Sequence, residues 1–358
     1  MPNWMFKAAV QGVVSFLPKG HLWHYLLQKY AQMFLPVYVG SVNLTPGAFE
    51  HKLKQCRCHI ESYLAGLHAH GTTDNGTQAI LYDYPRPVLH HIPRNGLAGY
   101  SPSLRHKSLP ELSVMELGTG LHPVISVGLY ICGASRILTI DRIPLLRSDG
   151  VREVFRFFVK YAEAGKLADF LPYPREDRIG VLRRLLQRRT ALNPNDCLRE
   201  LNIHTIVRDA RHTRLKDNSI DFFVSNNTLE HIPRKILQSI FLEFRRLASH
   251  SAVMSHYIDM VDHYCYFDKS LSCFNFRRYP HHIWRLFNNS LFYQNRLCIS
   301  DYLNIHSNAG FKIAYRFTEI GSTEDLDRLR IATDFAHYSL DELLVTCSWI
   351  VSVHNHSE

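Results

Sequence analysis

The chain has 358 residues, of which 46% are hydrophobic and 20% are charged, a composition that excludes a disordered or fibrous protein. Lysine and arginine outnumber aspartate and glutamate by 41 to 32, so the formal net charge is +9. The length fits one large domain with insertions or two domains, and no run of 18 uncharged apolar residues predicts a membrane-spanning helix.

The N-terminal region, residues 1–110, is predicted to be helical and to end in a connector. Residues 1–70 carry apolar side chains at helical spacing, whereas residues 71–110 are rich in glycine, proline, asparagine and serine. The first 20 residues lack a signal-peptide cleavage site, and Lys7 interrupts their apolar run. We expect a helix packed on its own domain there, with peripheral contact to a membrane surface as the alternative.

The eight cysteines form no pattern typical of a disulfide framework or a metal site. Cys56 and Cys58 lie close in sequence, but a single C-x-C pair without further cysteine pairs is a weak metal signal. We expect reduced thiols that mostly pack in the interior, and therefore a cytoplasmic protein.

After Pro110, short β-branched runs alternate with helical stretches. The runs are LSVMEL, RILTI, IHTIV, SIDFFVS, SAVMSHY, FKIAY and VTCSWIVSV. Such alternation predicts an α/β domain over residues 111–358, with a mainly parallel sheet and helices on both faces. The segments at about 143–201 and 260–300 are longer than a crossover needs, so we interpret them as insertions that build a substrate site or a lid.

The first insertion contains a basic amphipathic helix. Apolar residues lie at helical spacing among six arginines, which are Arg175, Arg178, Arg183, Arg184, Arg188 and Arg189. These arginines form either a solvated helix face or a surface for an acidic substrate or an anionic surface. Nucleic acid is disfavoured as a partner, because no aromatic side chains interleave with the arginines as a base-stacking platform would require.

The first strand ends in a glycine turn, ELGTG. Gly118, Thr119 and Gly120 lie where the strand enters a helix, so the backbone can approach a ligand and helix N–H groups can point at it. Asp141 ends the second strand, where a carboxylate can accept hydrogen bonds from ribose hydroxyls. A carboxylate at Glu116 would repel a phosphate and suits a cationic ligand.

This turn fits a dinucleotide or a nucleoside triphosphate poorly. Pro123 replaces the third glycine of G-x-G-x-x-G, and no Lys-Ser or Lys-Thr pair follows the glycines. Asp209 and Ala210 follow the third strand, where an acidic side chain can accept a hydrogen bond from an adenine amino group. A ligand with an amino group, a sulfonium and an adenosine ribose therefore fits these residues better than NAD.

At these residues the chain resembles the class I S-adenosylmethionine-dependent methyltransferases of small-molecule type. ELGTG is similar to their first motif, RDA to their adenine-edge motif, and DNSIDFFVSNNTLEHI to their fourth-strand block, over about residues 112–260. The resemblance implies a Rossmann-like, seven-stranded, mainly parallel sheet in the order 3-2-1-4-5-7-6, with the last strand antiparallel. His122 stands where many members have a third glycine, and we expect it to narrow the turn.

The resemblance also implies S-adenosyl-L-methionine as the cofactor. The residues assigned to bind it are Glu116, Gly118, Thr119, Gly120, Asp141, Arg142, Asp209, Ala210 and Asn226.

A cluster at the end of the fifth strand is predicted to be catalytic. It contains His256, Asp259, Asp262 and His263. Transfer of a methyl group to a hydroxyl requires a base, and we expect His263 in that role, with Asp259 or Asp262 orienting its ring. His231 in LEHI is the second candidate. The same histidines and aspartates could bind a divalent metal, but the sequence fixes no ligand geometry and we predict no metal site.

The segment HHIWRLFNNSLFYQNRL is predicted to line or cover an acceptor pocket, with a packed helical subdomain as the alternative. Its relevant residues are Trp284, Phe287, Phe292, Tyr293, Asn295 and Arg296.

The sequence thus predicts an enzyme that methylates a small-molecule, carbohydrate or lipid-like acceptor, at oxygen, with a histidine general base. One alternative is an RNA or protein methyltransferase that uses the basic surface, although SNNTL stands where amino-group methylation calls for an N/D-P-P-Y/F motif. Another is a binder of the cofactor without turnover. The acceptor and the oligomeric state stay open.

Overall fold

The computed structural model describes residues 43–70, 112–188, 193–266, 270–286, 288 and 293–354. The predicted helix in the first 20 residues and the predicted connector 71–110 lie outside these residues. Arg189, Phe287 and Phe292 lie outside them as well.

Seven strands and eleven helices make up the described part of the chain. The strands are β1 Ser113–Leu117, β2 Arg136–Asp141, β3 Ile203–Val207, β4 Ile220–Asn226, β5 Ala248–Asp259, β6 Phe311–Ile320 and β7 Val345–His354. The helices before β4 are α1 Pro46–His70, α2 Val124–Ile131, α3 Ser148–Glu163, α4 Leu167–Phe170, α5 Glu176–Gln187 and α6 Pro194–Arg199. Those after β4 are α7 Arg234–Leu247, α8 His281–Trp284, α9 Ile299–Asn308, α10 Thr323–Asp327 and α11 Leu340–Leu344.

The seven strands form one sheet in the order β3-β2-β1-β4-β5-β7-β6. The strands from β3 to β5 pair in parallel, whereas β7 pairs antiparallel with both β5 and β6. The predicted strand order and the antiparallel last strand are confirmed. Because β1 and β4 are neighbours that connect to opposite sides of the sheet, a crevice opens at their carboxyl ends, the usual ligand site of such a fold.

Helices cover both faces of the sheet, as the alternating sequence predicted. One core lies between the sheet and α1, α2, α3 and α5, and a second core lies between the sheet and α7 and α9. Helix α2 is buried at every residue, because it is sandwiched between the sheet and α1. The approach of α1 is close at Gly128, where an added Cβ would lie 2.7 Å from Cys56 Sγ.

The arginine-rich segment forms α5, with Ile179, Leu182 and Leu185 buried on its inner side. Part of its charge is satisfied within the protein. Arg178 donates to the carbonyl oxygens of Tyr130 and Ala134, both at 2.5 Å. Among the described residues, no helix is both long and apolar enough to cross a membrane.

Candidate active site

The glycine turn after β1 adopts a backbone that favours glycine. Gly118 has φ 79° and Gly120 has φ 68°, both in the left-handed region. An added Cβ on Gly118 would lie 2.4 Å from Thr228 Oγ1, so the segment after β4 packs directly on this turn. At Gly120, no described atom outside the adjoining residues lies within 4 Å of the Cβ position. The backbone at Gly120 is therefore open to close approach by a ligand.

His122 and Pro123 lead from this turn into α2. Pro123 immediately precedes the helix, where its missing N–H leaves no hydrogen bond unmade. The His122 ring extends toward α3, with Nε2 3.4 Å from Glu153 Oε2. This position of the ring does not support the expected narrowing of the turn.

Glu116, in β1, holds the turn through side-chain hydrogen bonds. The side chain is 3% exposed, and its Oε2 accepts hydrogen bonds from the hydroxyls of Ser126 and Thr119. Burial raises the pKa of Glu116 to about 7, although the two hydroxyls and Lys52 of α1 act in the opposite direction. The sequence pointed to Glu116 as a partner of a cationic ligand; its observed partners are residues that shape the turn.

Asp141, at the end of β2, lies beside the turn and is held by it. Its Oδ2 accepts a hydrogen bond from Thr119 N at 3.1 Å. Burial raises the pKa of Asp141 to about 6, despite the backbone N–H groups of Thr119 and Gly120. Arg142, the next residue, is exposed. The structure therefore brings Asp141 and the glycine turn together.

Asp209 and Ala210 follow β3 at the same edge of the sheet. Both Asp209 oxygens accept hydrogen bonds from the Arg211 guanidinium, at 2.5–3.0 Å. This pairing lowers the pKa of Asp209 to about 2, so the group is a carboxylate at neutral pH. Ala210 is buried. The sequence analysis did not identify Arg211 as a partner of Asp209, because a charged residue two positions after an aspartate is an ordinary surface pattern.

Helix α1 contributes polar residues that the sequence did not reveal. Gln55 Oε1 accepts a hydrogen bond from Asn226 Nδ2 at 2.9 Å, and His59 Nδ1 lies 2.9 Å from Ser255 Oγ. Gln55 Nε2 is buried with no hydrogen-bond partner of normal geometry among the described residues, whereas the side chains of His59 and Asn226 lie within reach of each other. Burial and the neighbouring His256 lower the pKa of His59 to about 3. These atoms form a polar patch between α1 and the strands β4 and β5.

A histidine–carboxylate cluster follows the same two strands, and we define it as Glu230, His231, Asp259 and His263. The first two lie in a 3₁₀ turn, Leu229–His231, which precedes α7 instead of opening it. Asp259 ends β5, and its Oδ2 lies 3.3 Å from His263 Nε2. Burial acts to raise the pKa of Asp259, but His263 and the Tyr266 hydroxyl outweigh it and lower the pKa.

Glu230 is the most deeply buried acid of this cluster. Its side chain is 1% exposed, and neither carboxylate oxygen accepts a hydrogen bond of normal geometry from a described residue. Burial and the nearby charge of Asp259 raise the pKa of Glu230 well above its usual range. One donor atom from each of Glu230, His231 and His263 lies within 4.8 Å of the other two. Glu230 was not singled out from the sequence.

The two other predicted catalytic residues, His256 and Asp262, make contacts of a different kind. His256 is fully buried, with Nδ1 2.7 Å from Ser225 Oγ and its ring against Phe241 of α7 and His306 of α9. Asp262 Oδ1 accepts from Tyr264 N at 2.9 Å, which forms a local turn. The carboxylate seen against the His263 ring is that of Asp259, with Oδ2 3.3 Å from Nε2.

The predicted acceptor segment packs behind the 3₁₀ turn. Asn295 Nδ2 donates to the carbonyl oxygens of Leu229 and Ile232 at 2.8 and 2.9 Å, and the Arg296 guanidinium lies between the rings of Trp284 and Phe335. Tyr293 O lies 2.8 Å from His231 Nδ1. These contacts fit the alternative, a packed subdomain that supports the cluster.

The chain was compared with protein-family models, curated proteins and solved structures. Residues 182–254 match the family model described as a methyltransferase domain. No curated protein matches the chain significantly. A solved S-adenosylmethionine-dependent methyltransferase from Methanosarcina mazei is 13% identical, with TM-score 0.38, over 68% of this chain and 93% of that chain. One from Mesorhizobium loti is 13% identical, with TM-score 0.36, over 70% of this chain and 94% of that chain.

The residues at the sheet edge fit the cofactor of this family. Gly120 is open to a ligand, Asp141 lies at the end of β2 beside the turn, and Asp209 is an ionised carboxylate paired with Arg211. The strand order and the matched family model lead to the same assignment as the motifs. The family model matched by residues 182–254 and the strand order support the class I S-adenosylmethionine-dependent methyltransferase superfamily, whose cofactor is S-adenosyl-L-methionine.

Proposed function

We propose that the enzyme methylates an oxygen atom of a small-molecule, carbohydrate or lipid-like acceptor. The observation that carries this proposal is the position of the histidine–carboxylate cluster. Thr228 packs on Gly118 of the glycine turn, and Glu230 and His231 follow two and three residues later. The cluster thus begins two residues after the contact with the glycine turn, which supports a proton-accepting group near the predicted methyl donor, as a hydroxyl acceptor requires.

In the proposed reaction, the bond between the sulfonium sulfur and the methyl carbon breaks as the acceptor oxygen forms its bond to that carbon. The acceptor O–H proton passes to His263, and the products are a methyl ether or ester and S-adenosylhomocysteine. Asp259, 3.3 Å from His263 Nε2, positions the ring. His231 is the second candidate for the base. The protein otherwise acts by positioning the acceptor in line with the methyl group.

The polar patch on α1 supports a polar acceptor. Gln55 and His59 are at most 1% exposed, and Gln55 Nε2 has no partner of normal geometry among the described residues. A buried polar group without a partner is costly, so this atom favours a ligand that carries hydroxyl or carbonyl groups. We propose that this patch orients the acceptor.

We also propose that the residues assigned from the motifs bind the cofactor. They are Glu116, Gly118, Thr119, Gly120, Asp141, Arg142, Asp209, Ala210 and Asn226. Methylation of RNA or protein is the second candidate, for which α5 offers the exposed Arg184, and the exposed Arg175 and Arg188 flank this helix. A cofactor binder without turnover is the third. The cytoplasmic location, peripheral membrane contact and the division at residue 110 stay predictions.

The first test is calorimetric titration of the wild type with S-adenosylmethionine, S-adenosylhomocysteine and NAD. We expect the two adenosyl ligands to bind and NAD not to bind. Asp141→Asn should weaken binding of S-adenosylhomocysteine about 10- to 100-fold, the loss of a charged hydrogen-bond acceptor. Asp327→Asn, an exposed change on α10, is the matched control and should leave the affinity unchanged. Binding of NAD instead would refute the cofactor assignment.

The acceptor is tested with S-adenosylmethionine that carries a labelled methyl group. Hydroxylated small molecules, sugars and lipids are screened, and mass spectrometry locates the label. His263→Gln should lower kcat with little change in KM, because the base acts after the acceptor has bound. A labelled nitrogen, RNA or protein would overturn the oxygen assignment and favour the second candidate.

A further inference from the structure

We infer that Glu230, His231 and His263 bind a divalent transition-metal ion. This inference rests on the proposed function, because it specifies how the histidine–carboxylate cluster would activate an acceptor oxygen. It differs from the general-base assignment in one testable respect. A His263 that ligates an ion does not also accept the proton.

The geometry brings three donor atoms to one point. A carboxylate oxygen and two imidazole nitrogens lie within 4.8 Å of one another, from two segments about 30 residues apart in sequence. Zinc–nitrogen and zinc–oxygen bonds of about 2.0–2.2 Å place tetrahedral ligands about 3.4 Å apart. Side-chain rotations that move each donor by roughly an ångström therefore complete a coordination shell, without a change of backbone.

Glu230 supplies a second, independent observation. Its carboxylate is 1% exposed and is approached only by the backbone N–H groups of Glu230 and Asp259 among the contacts described, while the Asp259 carboxylate lies close enough to repel it. A buried carboxylate of this kind is stable only when it is neutralised or when a cation pairs with it. An ion between Glu230 and the two histidines would satisfy the carboxylate.

The groups behind the ligands have the arrangement that metal sites use. His231 Nδ1 lies 2.8 Å from the Tyr293 carbonyl oxygen, so Nδ1 carries the proton and Nε2 carries the lone pair that a metal requires. His263 lies 3.3 Å from Asp259 Oδ2, which also accepts a hydrogen bond from the Tyr266 hydroxyl at 2.5 Å. A carboxylate or carbonyl behind each histidine fixes ring orientation and raises ligand basicity.

The donor set indicates which ions bind. Two imidazoles and one carboxylate suit Zn²⁺, Co²⁺ or Mn²⁺, whereas Mg²⁺ and Ca²⁺ prefer oxygen ligands. Three protein ligands leave a coordination position for an acceptor hydroxyl, whose pKa the ion lowers. In this form the hydroxyl proton is released to water as the oxygen binds the ion, and the resulting alkoxide attacks the methyl group.

The test uses the full chain without a histidine tag, after dialysis against a chelator. The chain has 22 histidines, so surface binding of metal must be separated from the site. Zn²⁺, Co²⁺, Mn²⁺ and Mg²⁺ are each titrated alone by calorimetry, and metal content is measured by mass spectrometry. We expect one tight transition-metal ion per chain, weak Mg²⁺ binding, and a visible Co²⁺ spectrum typical of nitrogen ligation.

Glu230→Gln keeps the shape of the side chain and should weaken that binding at least tenfold, as should His263→Gln. His282→Gln removes an exposed histidine on α8 and is the matched control, with no effect on the tight site. Each variant must bind S-adenosylhomocysteine as the wild type does, which shows that it is folded. Equal metal stoichiometry and affinity in the wild type and Glu230→Gln would overturn the inference.

The failure of this inference and the failure of the proposed function look different. If no ion binds tightly but labelled methyl ethers form, the general base remains and the metal site is wrong. If the ion binds but the label appears on nitrogen, RNA or protein, the oxygen acceptor is wrong and the site stands as a metal site alone.

Discussion

Glu116→Gln should make the folded protein more stable at alkaline pH. The carboxyl group is 3% exposed, and burial raises its pKa from 4.5 to about 7. An acid with a raised pKa in the folded state destabilises that state as pH rises, because the unfolded chain loses its proton first. This effect begins near pH 4.5 and is complete above pH 7. Glutamine keeps the size of the side chain and removes the ionisation.

The size of the effect follows from the two pKa values. Each pKa unit corresponds to about 1.4 kcal/mol. The ionisable carboxyl therefore lowers the free energy of unfolding by about 0.8 kcal/mol at pH 5 and about 3.4 kcal/mol at pH 8.5. Relative to the wild type, Glu116→Gln should gain about 2.5 kcal/mol between these two pH values.

Urea unfolding at pH 5 and pH 8.5, without cofactor, measures this difference through the fluorescence of the four tryptophans. Glu324→Gln is the control, since Glu324 is exposed and lies in a surface pair with Arg328 at 3.9 Å. It should change stability little at either pH. If the difference between Glu116→Gln and the wild type is the same at both pH values, the carboxyl is not protonated in the folded protein and the reasoning is refuted.

Three further predictions follow from described contacts. Gly118→Ala should destabilise the protein by more than about 1 kcal/mol in urea unfolding, because φ at this position is 79° and the new methyl group would meet Thr228. Unchanged stability would mean that the turn rearranges to accept the methyl group. Asn295→Ala should lower the free energy of unfolding by roughly 2–4 kcal/mol, since the asparagine side chain makes four hydrogen bonds. Equal stability of the variant and the wild type would show that water replaces these bonds. His256 has a pKa lowered by burial to about 3, so its contribution to stability is present above pH 6.5 and is lost as pH falls toward 3. His256→Gln should therefore flatten the acid limb of the stability curve by about 2 kcal/mol between pH 7.5 and 5, and an unchanged limb would contradict this.

The sheet could be predicted from the sequence because its inner strands are buried on both faces. Runs such as SIDFFVS and SAVMSHY are then nearly continuous in apolar or small residues. The order of the strands came from the motifs and not from the runs. Glycines at the end of β1 and an acid at the end of β2 are tied to one position in the fold, so they fix which strand is which.

The catalytic side of the site was less accessible to sequence reasoning. Gln55 and Asn226 are 171 residues apart, and no local pattern indicates that such residues meet. In the sequence, Glu230 has the position of an ordinary acidic residue at the start of a helix, and only the structure shows that it is buried. One sequence signal did separate His256 from the cluster. Side chains alternate between the two faces of a strand, so His256 and Asp259, three residues apart on β5, lie on opposite faces of the sheet. Proximity in sequence was the wrong guide there.

The position of β7 between β5 and β6 has a consequence for the order in which the protein folds. As the chain emerges from the ribosome, β5 and β6 are complete before their common neighbour, Val345–His354, has been made. Until then β6 has no partner in the sheet, and β5 presents an unpaired edge that can bind other chains. We expect nascent chains that stop before β7 to aggregate or to require chaperones, so the stretch of synthesis between Ile320 and His354 is the vulnerable period for this enzyme.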